Sequence, residues 1–431
     1  MLKKIFIALL VSTAIYGETL QELIHIGLQQ STLIKKSDAE HTMTQMKHEE
    51  SKVSQYGSFD LIGEFTHFNT PRTLIPMTPT SINLGVPITT TNDLYSTGIV
   101  YTVPLFTGFA QNYEIEIQKI STHIAMMKKT LTKEQLVYNI RTIYLSILAL
   151  EEAIKAQHFY TKALQNFYIQ IQYEVKLGKK AQIDLLNAKS SLVTSQSKEI
   201  VFKSNTNILY GSLASLVGID QITHITPISI KVEKPNYTLD TILRDATSLS
   251  KIKLTDLQID QAEKAIAKVS ALQLPQVNLK GYTGKNYGKD ETLNQWDNEY
   301  LWQIGLNLQW NIIDFGKRSL AKEQAKIAKM NALVDKDQAL KDVKYALIEA
   351  IEKTKQSYEL YHANNTQITL LNQNEMIEKV RYENGASTIN DFLLAQSKTQ
   401  IAKIQRIENK YQYQKNIYYI SYLMETGMTD E

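Results

Sequence analysis

From residue 301 the chain reads LWQIGLNLQWNI, and apolar and polar side chains alternate without a break. Trp302, Ile304, Leu306, Leu308, Trp310 and Ile312 fall on one side, with Gln303, Gly305, Asn307, Gln309 and Asn311 on the other. A two-residue period predicts a strand with one apolar face. A similar run precedes residue 106: Tyr95, Thr97, Ile99, Tyr101, Val103 and Leu105 against Ser96, Gly98, Val100, Thr102 and Pro104. Earlier strands are predicted near residues 59–68 and 276–282, with polar loops between the members of each pair. The period then changes. Leu136, Ile140, Ile143, Ile147, Leu150 and Ile154 step by four and three, as do Ile183, Leu186, Ser190, Val193, Ser197 and Ile200. Ile401, Ile404, Tyr411, Tyr418 and Tyr422 share one heptad-spaced face. Such spacing predicts long helices with coiled-coil-like packing. No proline lies between 105 and 226 or after 275, which leaves both helical blocks unbroken.

The two patterns occur twice. VPLFTGF (103–109) aligns with WNIIDFG (310–316), and LGKKAQIDLLNAKS (177–190) with NGASTINDFLLAQS (384–397), at one offset of 207 residues. Gly178 meets Gly385 and Asp184 meets Asp391. One ungapped offset predicts an internal duplication, each half reading helix, strand, loop, strand, long helix, glycine turn, helix. The predicted divisions are 1–17, 18–218, 219–250 as a connector, and 251–431.

Composition narrows the class. Lys+Arg number 47 against 44 Asp+Glu in 431 residues, which gives no electrostatic case for nucleic acid. There is no cysteine, so disulfides, thiolate catalysis and cysteine-ligated zinc are excluded. The opening MLKKIFIALLVSTAIYGE has a basic start and an apolar run too short to span a bilayer, as expected of a signal peptide over 1–17. No later segment reaches the roughly 20 apolar residues of a membrane helix. An exported chain with one-faced strands and no helical span fits a transmembrane β-barrel. Four strands cannot close a barrel, and lipid tolerates no open edge, so several chains must contribute. Pro104 and Gly108 then mark where chain leaving the membrane turns into helix.

PLFTGF, its second copy IIDFGKR with Asp314 and Gly316, and VRYENGASTINDFLLAQ (380–396) resemble the signatures of the outer membrane efflux protein family, the TolC-like channels of Gram-negative bacteria. The resemblance implies a mainly α fold with transmembrane β: four strands per chain completing a trimeric 12-stranded β-barrel, continued by a long periplasmic α-helical barrel. It implies an exit duct in the outer membrane, in contact with outer-membrane lipid, of a tripartite efflux or type I secretion system. The partners implied are a periplasmic adaptor and an inner-membrane pump, with gating at the periplasmic helical tip, no enzyme activity and no cofactor.

By motif position the resemblance makes Tyr382 a network tyrosine of the closed tip, Asp391 a ring-forming acid and Asp184 its first-half partner. Two positions depart from the family. Ser387 stands where an arginine is expected, and Leu394 where a second acid is expected. The same residues have plainer readings. Gly178 and Gly385 suit the left-handed end of a helix, and Asp391, three after Thr388, suits a capping box. His41 and His48, flanked by Glu40 and Glu49, are better read as a solvated helix face than as a metal site. No catalytic set or phosphate loop stands out. A competing reading is a periplasmic coiled-coil adaptor or structural protein, and a weaker one an adhesin stalk; the duplicated strand pairs favour the duct.

Overall fold

The computed structural model describes residues 18–83, 88–237, 248–290 and 294–427. The expected signal peptide (1–17) and part of the expected connector (238–247) lie outside the described residues. In chain order the elements are α1 (Leu20–Gln30), α2 (Thr32–Val53), β1 (Ser58–Thr73), α3 (Pro79–Asn83), β2 (Thr90–Phe106), α4 (Ala110–Lys176), α5 (Gln182–Val217), α6 (Ser250–Ala271), β3 (Gln276–Lys289), β4 (Trp296–Gln309), α7 (Lys317–Glu383) and α8 (Ile389–Leu423). The long helices α4 and α7 each have 67 residues, about 100 Å at 1.5 Å per residue.

The element boundaries repeat. α2 and α6 are both 22 residues long, and α6 and β3 begin 218 residues after α2 and β1. After the strand pair the offset is 207: α7 reproduces both ends of α4, and α8 begins 207 residues after α5. The 11-residue difference is therefore taken up between the paired strands, in the longer first loop.

The chain divides into two compact units. One draws on residues 40–126 and 254–337 and contains the sheet. Its four strands run antiparallel in the order β1-β2-β3-β4. The register puts Leu61, Ile99, Thr283 and Trp302 in one row and Phe59, Tyr101, Gly281 and Ile304 in the next. Val103, Leu279 and Leu306 follow on the same face. This face is apolar but exposed: Leu61, Ile304 and Leu306 are 82%, 67% and 69% exposed. Lys285 interrupts it one row beyond Trp302. The opposite face carries Asp60, Lys280, Gln303, Asn307 and Glu299. Phe59 stacks on Tyr101 at 4.3 Å, and three rows away Phe65, Tyr95 and Trp296 form a second aromatic group with centroids 4.8 and 5.5 Å apart. Trp302 lies between these groups, inside the apolar band, while Trp310 follows the end of β4 and donates its indole N–H to the Gln273 carbonyl at 3.1 Å.

The strands are longer than their alternation alone predicts, 14 to 17 residues. Their outer ends are polar, and pairing continues there because backbone hydrogen bonds need no apolar face. Pro104 does not end the ladder as the sequence suggested. β2 continues to Phe106, and the register shifts after Pro104 on the β3 side. β1 pairs only as far as Thr102, so the missing N–H at Pro104 faces no β1 partner.

The other unit draws on residues up to 39 and on 127–253 and 338–431. Its core joins Leu20 and Leu23 of α1, Leu136, Ile140, Tyr144 and Ile147 of α4, Leu213 and Val217 of α5, and Tyr411 of α8. The first heptad stripe is thus internal. The α5 stripe is not: Ile183, Leu186, Val193 and Ile200 are all at least half exposed.

Candidate functional site: strand-to-helix corners and hairpin tips

At the two corners of the sheet-bearing unit, both copies solve one problem. A strand must turn sharply and start a helix. Gly108 and Phe109 both have positive φ, and so do Phe315 and Gly316, the residues 207 positions later. Each copy places glycine at one of the two left-handed positions and forces a phenylalanine into the other. Gly108 also has no room for a side chain, since a Cβ would come within 2.4 Å of the Ala271 carbonyl. The residue before each pair starts the helix. The Thr107 hydroxyl accepts from the Gln111 N–H at 3.2 Å. The Asp314 carboxylate accepts from the N–H groups of Gly316 and Arg318 at 3.1 and 3.0 Å and pairs with the Arg318 guanidinium at 2.5 Å. Those contacts hold the Asp314 carboxyl below its ordinary range, the arginine contributing most. Gly108, Asp314 and Gly316 therefore sit in the corners themselves, whereas Pro104 lies within β2, two residues before its end.

The hairpin tips lie in the other unit. α4 ends at Gly178 (φ 71°) and α7 at Gly385 (φ 72°). In each turn the glycine N–H reaches back three residues, Gly178 to Val175 and Gly385 to Tyr382. The next-but-one carbonyl is also met, Lys179 donating to Glu174 and Ala386 to Arg381. This is the paired-bond ending that a left-handed residue permits.

From that shared frame the tips diverge. In the second, Thr388 caps α8 and Asp391 returns the contact. The Thr388 N–H and hydroxyl donate to Asp391 Oδ2 at 3.0 and 2.7 Å, and the Asp391 N–H donates to the Thr388 hydroxyl at 3.2 Å. These bonds, with a smaller contribution from Arg381, hold the exposed Asp391 carboxyl below the usual aspartate range. In the first tip the capping position is Ala181, which has no side chain to offer, and Asp184 makes no cap bond. Asp184 is half-buried; burial first, and then the charges of Asp184 and Glu174, push the Tyr382 hydroxyl up to about 12.

Tyr382 is 94% buried by the helices of both hairpins. Its ring stacks on Phe392 with centroids 6.1 Å apart and meets Phe167 edge-on at 6.0 Å. Leu164 and Ile171 of α4, Ala188 and Leu192 of α5, and Ile389 and Leu393 of α8 complete this core. Among the described residues the Tyr382 hydroxyl has no hydrogen-bond partner, and neither does the Ser387 hydroxyl. The structure therefore brings Tyr382 and Asp184 near each other but makes no bond between them. Leu394 is exposed beside Asp391, Glu378, Arg381 and Lys398 in a shallow groove between α7 and α8.

Sequence reasoning missed two cations. Arg381 pairs with Glu378 at 2.8 Å and reaches the Ala386 carbonyl at 3.5 Å, which ties down the second tip. Lys180 of the first tip places its ammonium 4.0 Å from the centre of the Tyr382 ring. The signal for Lys180 was present in the repeat. Two residues after the hairpin glycine, the first copy has Lys180 and the second has Ser387.

Residues 250–418 match the family model described as outer membrane efflux protein. Solved structures share the fold over nearly the whole chain. A membrane protein from Pseudomonas aeruginosa superposes with a TM-score of 0.78 at 14% identity, covering 94% of this chain and 93% of that one. The CmeC outer membrane channel of Campylobacter jejuni gives 0.76 at 15% identity, covering 95% and 86%. VceC, an outer membrane protein of Vibrio cholerae, gives 0.74 at 13% identity, covering 94% and 96%. No curated protein matches the chain in sequence.

Proposed function

We propose, from the match of residues 250–418 to the outer membrane efflux protein family, that this chain is an outer-membrane efflux channel and not an enzyme. The observation that carries the reading is the sheet. One face is apolar and exposed, the other is polar, and β1 and β4 are paired on one side only among the described residues. In water such a face would be a liability. In a bilayer it is the outer wall of a barrel whose polar face lines a water-filled lumen. The open edges require further copies, and three copies of four strands give a 12-stranded barrel. The exposed α5 stripe supplies a coiled-coil face for a neighbouring copy. The finer reading is a homotrimeric exit duct of a tripartite efflux or type I secretion system. It would receive cargo from an inner-membrane pump through a periplasmic adaptor and be gated at the helical tips around Tyr382, Asp184, Asp391, Ser387 and Leu394.

Cell fractionation followed by electrophoresis of unheated sample tests this reading. The expected result is a heat-sensitive trimer in the outer membrane that conducts ions when reconstituted in planar bilayers. A soluble periplasmic monomer overturns it.

A further inference from the structure

We infer that Lys180 clasps the two hairpins of one chain by capping the face of Tyr382, and that this contact helps hold the tip closed. The inference rests on the channel reading above and adds to it a residue and a chemistry. A lysine ammonium within about 6 Å of a ring centroid is attracted by the negative face of the ring. Here the separation is 4.0 Å. Lys180 belongs to the turn between α4 and α5, and Tyr382 to the last turn of α7, so the contact crosses from one hairpin to the other. The ring cannot swing away to meet the cation elsewhere. It is 94% buried, stacked on Phe392 and braced edge-on by Phe167. A fixed ring leaves the lysine as the only partner that must be ordered, which lowers the entropy lost in making the contact.

Three further observations assign the role to the ring face and not to the hydroxyl. The Tyr382 hydroxyl is buried and has no hydrogen-bond partner among the described residues. Residue 387, which lies in the second tip itself, is a serine whose own hydroxyl is unpartnered and which carries no charge. The repeat places Lys180 at the equivalent position of the first tip. Of the two equivalent positions only the first copy thus carries a cation, and from there it reaches the tyrosine of the opposite hairpin. Asp184 remains beside it as a local anion, since Ala181 leaves no cap to engage that carboxylate. The two tips of a chain are therefore joined by an aromatic core with a lysine lid, and opening that separates them must first remove the lysine from the ring.

The test uses the full chain as an assembled trimer in planar bilayers, reading the fraction of time spent in the high-conductance state. Assembly of each variant is verified by unheated electrophoresis. Lys180→Gln removes the charge from a half-exposed side chain and should raise the open-to-closed ratio about three- to thirty-fold, the range expected for losing one such contact. Tyr382→Leu should do the same, because it keeps apolar volume and removes the ring. Lys180→Arg and Tyr382→Phe should leave the ratio near that of the unmodified protein, since both preserve a cation over a ring. If Lys180→Gln closes as well as the unmodified chain, the clasp is wrong. If Tyr382→Phe opens as far as Tyr382→Leu, the hydroxyl carries closure and the clasp is again wrong. An unmodified trimer that conducts no ions overturns the channel reading itself, whereas a conducting trimer indifferent to these variants overturns the clasp alone.

Discussion

Asp391 caps a helix, and the proposed function asks a second role of the same side chain. Both donors from Thr388 converge on Oδ2, which leaves Oδ1 free of the cap. The cap and a charged ring around a trimer axis are therefore compatible, and one variant separates them. Asp391→Asn keeps an oxygen for the Thr388 N–H but removes the charge. It should lower cation selectivity and relieve block by divalent ions in bilayer recordings while the tip stays ordered, as acidic rings in other pores lead one to expect. Unchanged selectivity would leave Asp391 with the cap alone. Acid should act differently. The Asp391 carboxyl is depressed by its cap, so its contribution is present above the unfolded aspartate range and is lost as pH falls through the lower folded value. A spin label on Ala386→Cys, introduced into this cysteine-free chain, should stay immobile down to about pH 4 and gain mobility only as pH falls below it toward the lower folded value. Thr388→Ala should give that mobility at neutral pH, because the cap is then lost without acid. If Thr388→Ala leaves the label immobile at neutral pH, the capping box does not order this tip.

At the scale of elements, the strands and long helices were legible because each is governed by a single period. Alternation over 301–312 placed Leu306 and Asn307 on opposite faces, and the register keeps them there. An arginine on a lipid face near the bilayer midplane costs about 2–4 kcal/mol, and much less in a lumen. Leu306→Arg should therefore reduce heat-sensitive trimer in the outer membrane, while Asn307→Arg should assemble normally. Equal assembly of the two would show that Leu306 does not face lipid and that the proposed register is wrong. What the periods could not give was anything fixed by a partner element. Alternation puts Trp302 on the apolar face, but only its row mates Leu61 and Ile99 place it inside the apolar band. The left-handed Phe109 and Phe315 are hidden beside glycines, which are the expected bearers of that conformation. The contact of Lys180 with Tyr382 depends on the approach of two hairpins 202 residues apart in sequence, which no local pattern records.

For the whole molecule, the governing fact is that one chain cannot satisfy its own sheet. Among the described residues β1 and β4 each pair on one side only, and in lipid every backbone N–H and C=O left open there costs several kcal/mol. Assembly and membrane insertion should thus be one event, with the stability of the inserted state inseparable from the association of the copies. Deleting Asn307 and Leu308 together tests the coupling. Removing two residues preserves the inward-outward alternation of β4, because the side-chain period is two. It shortens the strand by about 7 Å and takes away pairing groups at the end of a β4 edge that a neighbouring copy must meet. The expected outcome is simultaneous loss of the heat-sensitive trimer and of resistance to urea extraction from outer membranes, with the shortened chain recovered as a periplasmic monomer or as aggregate. A shortened chain that remains as an inserted monomer would mean that the sheet closes its edges without a second copy, and the trimeric barrel would have to be abandoned.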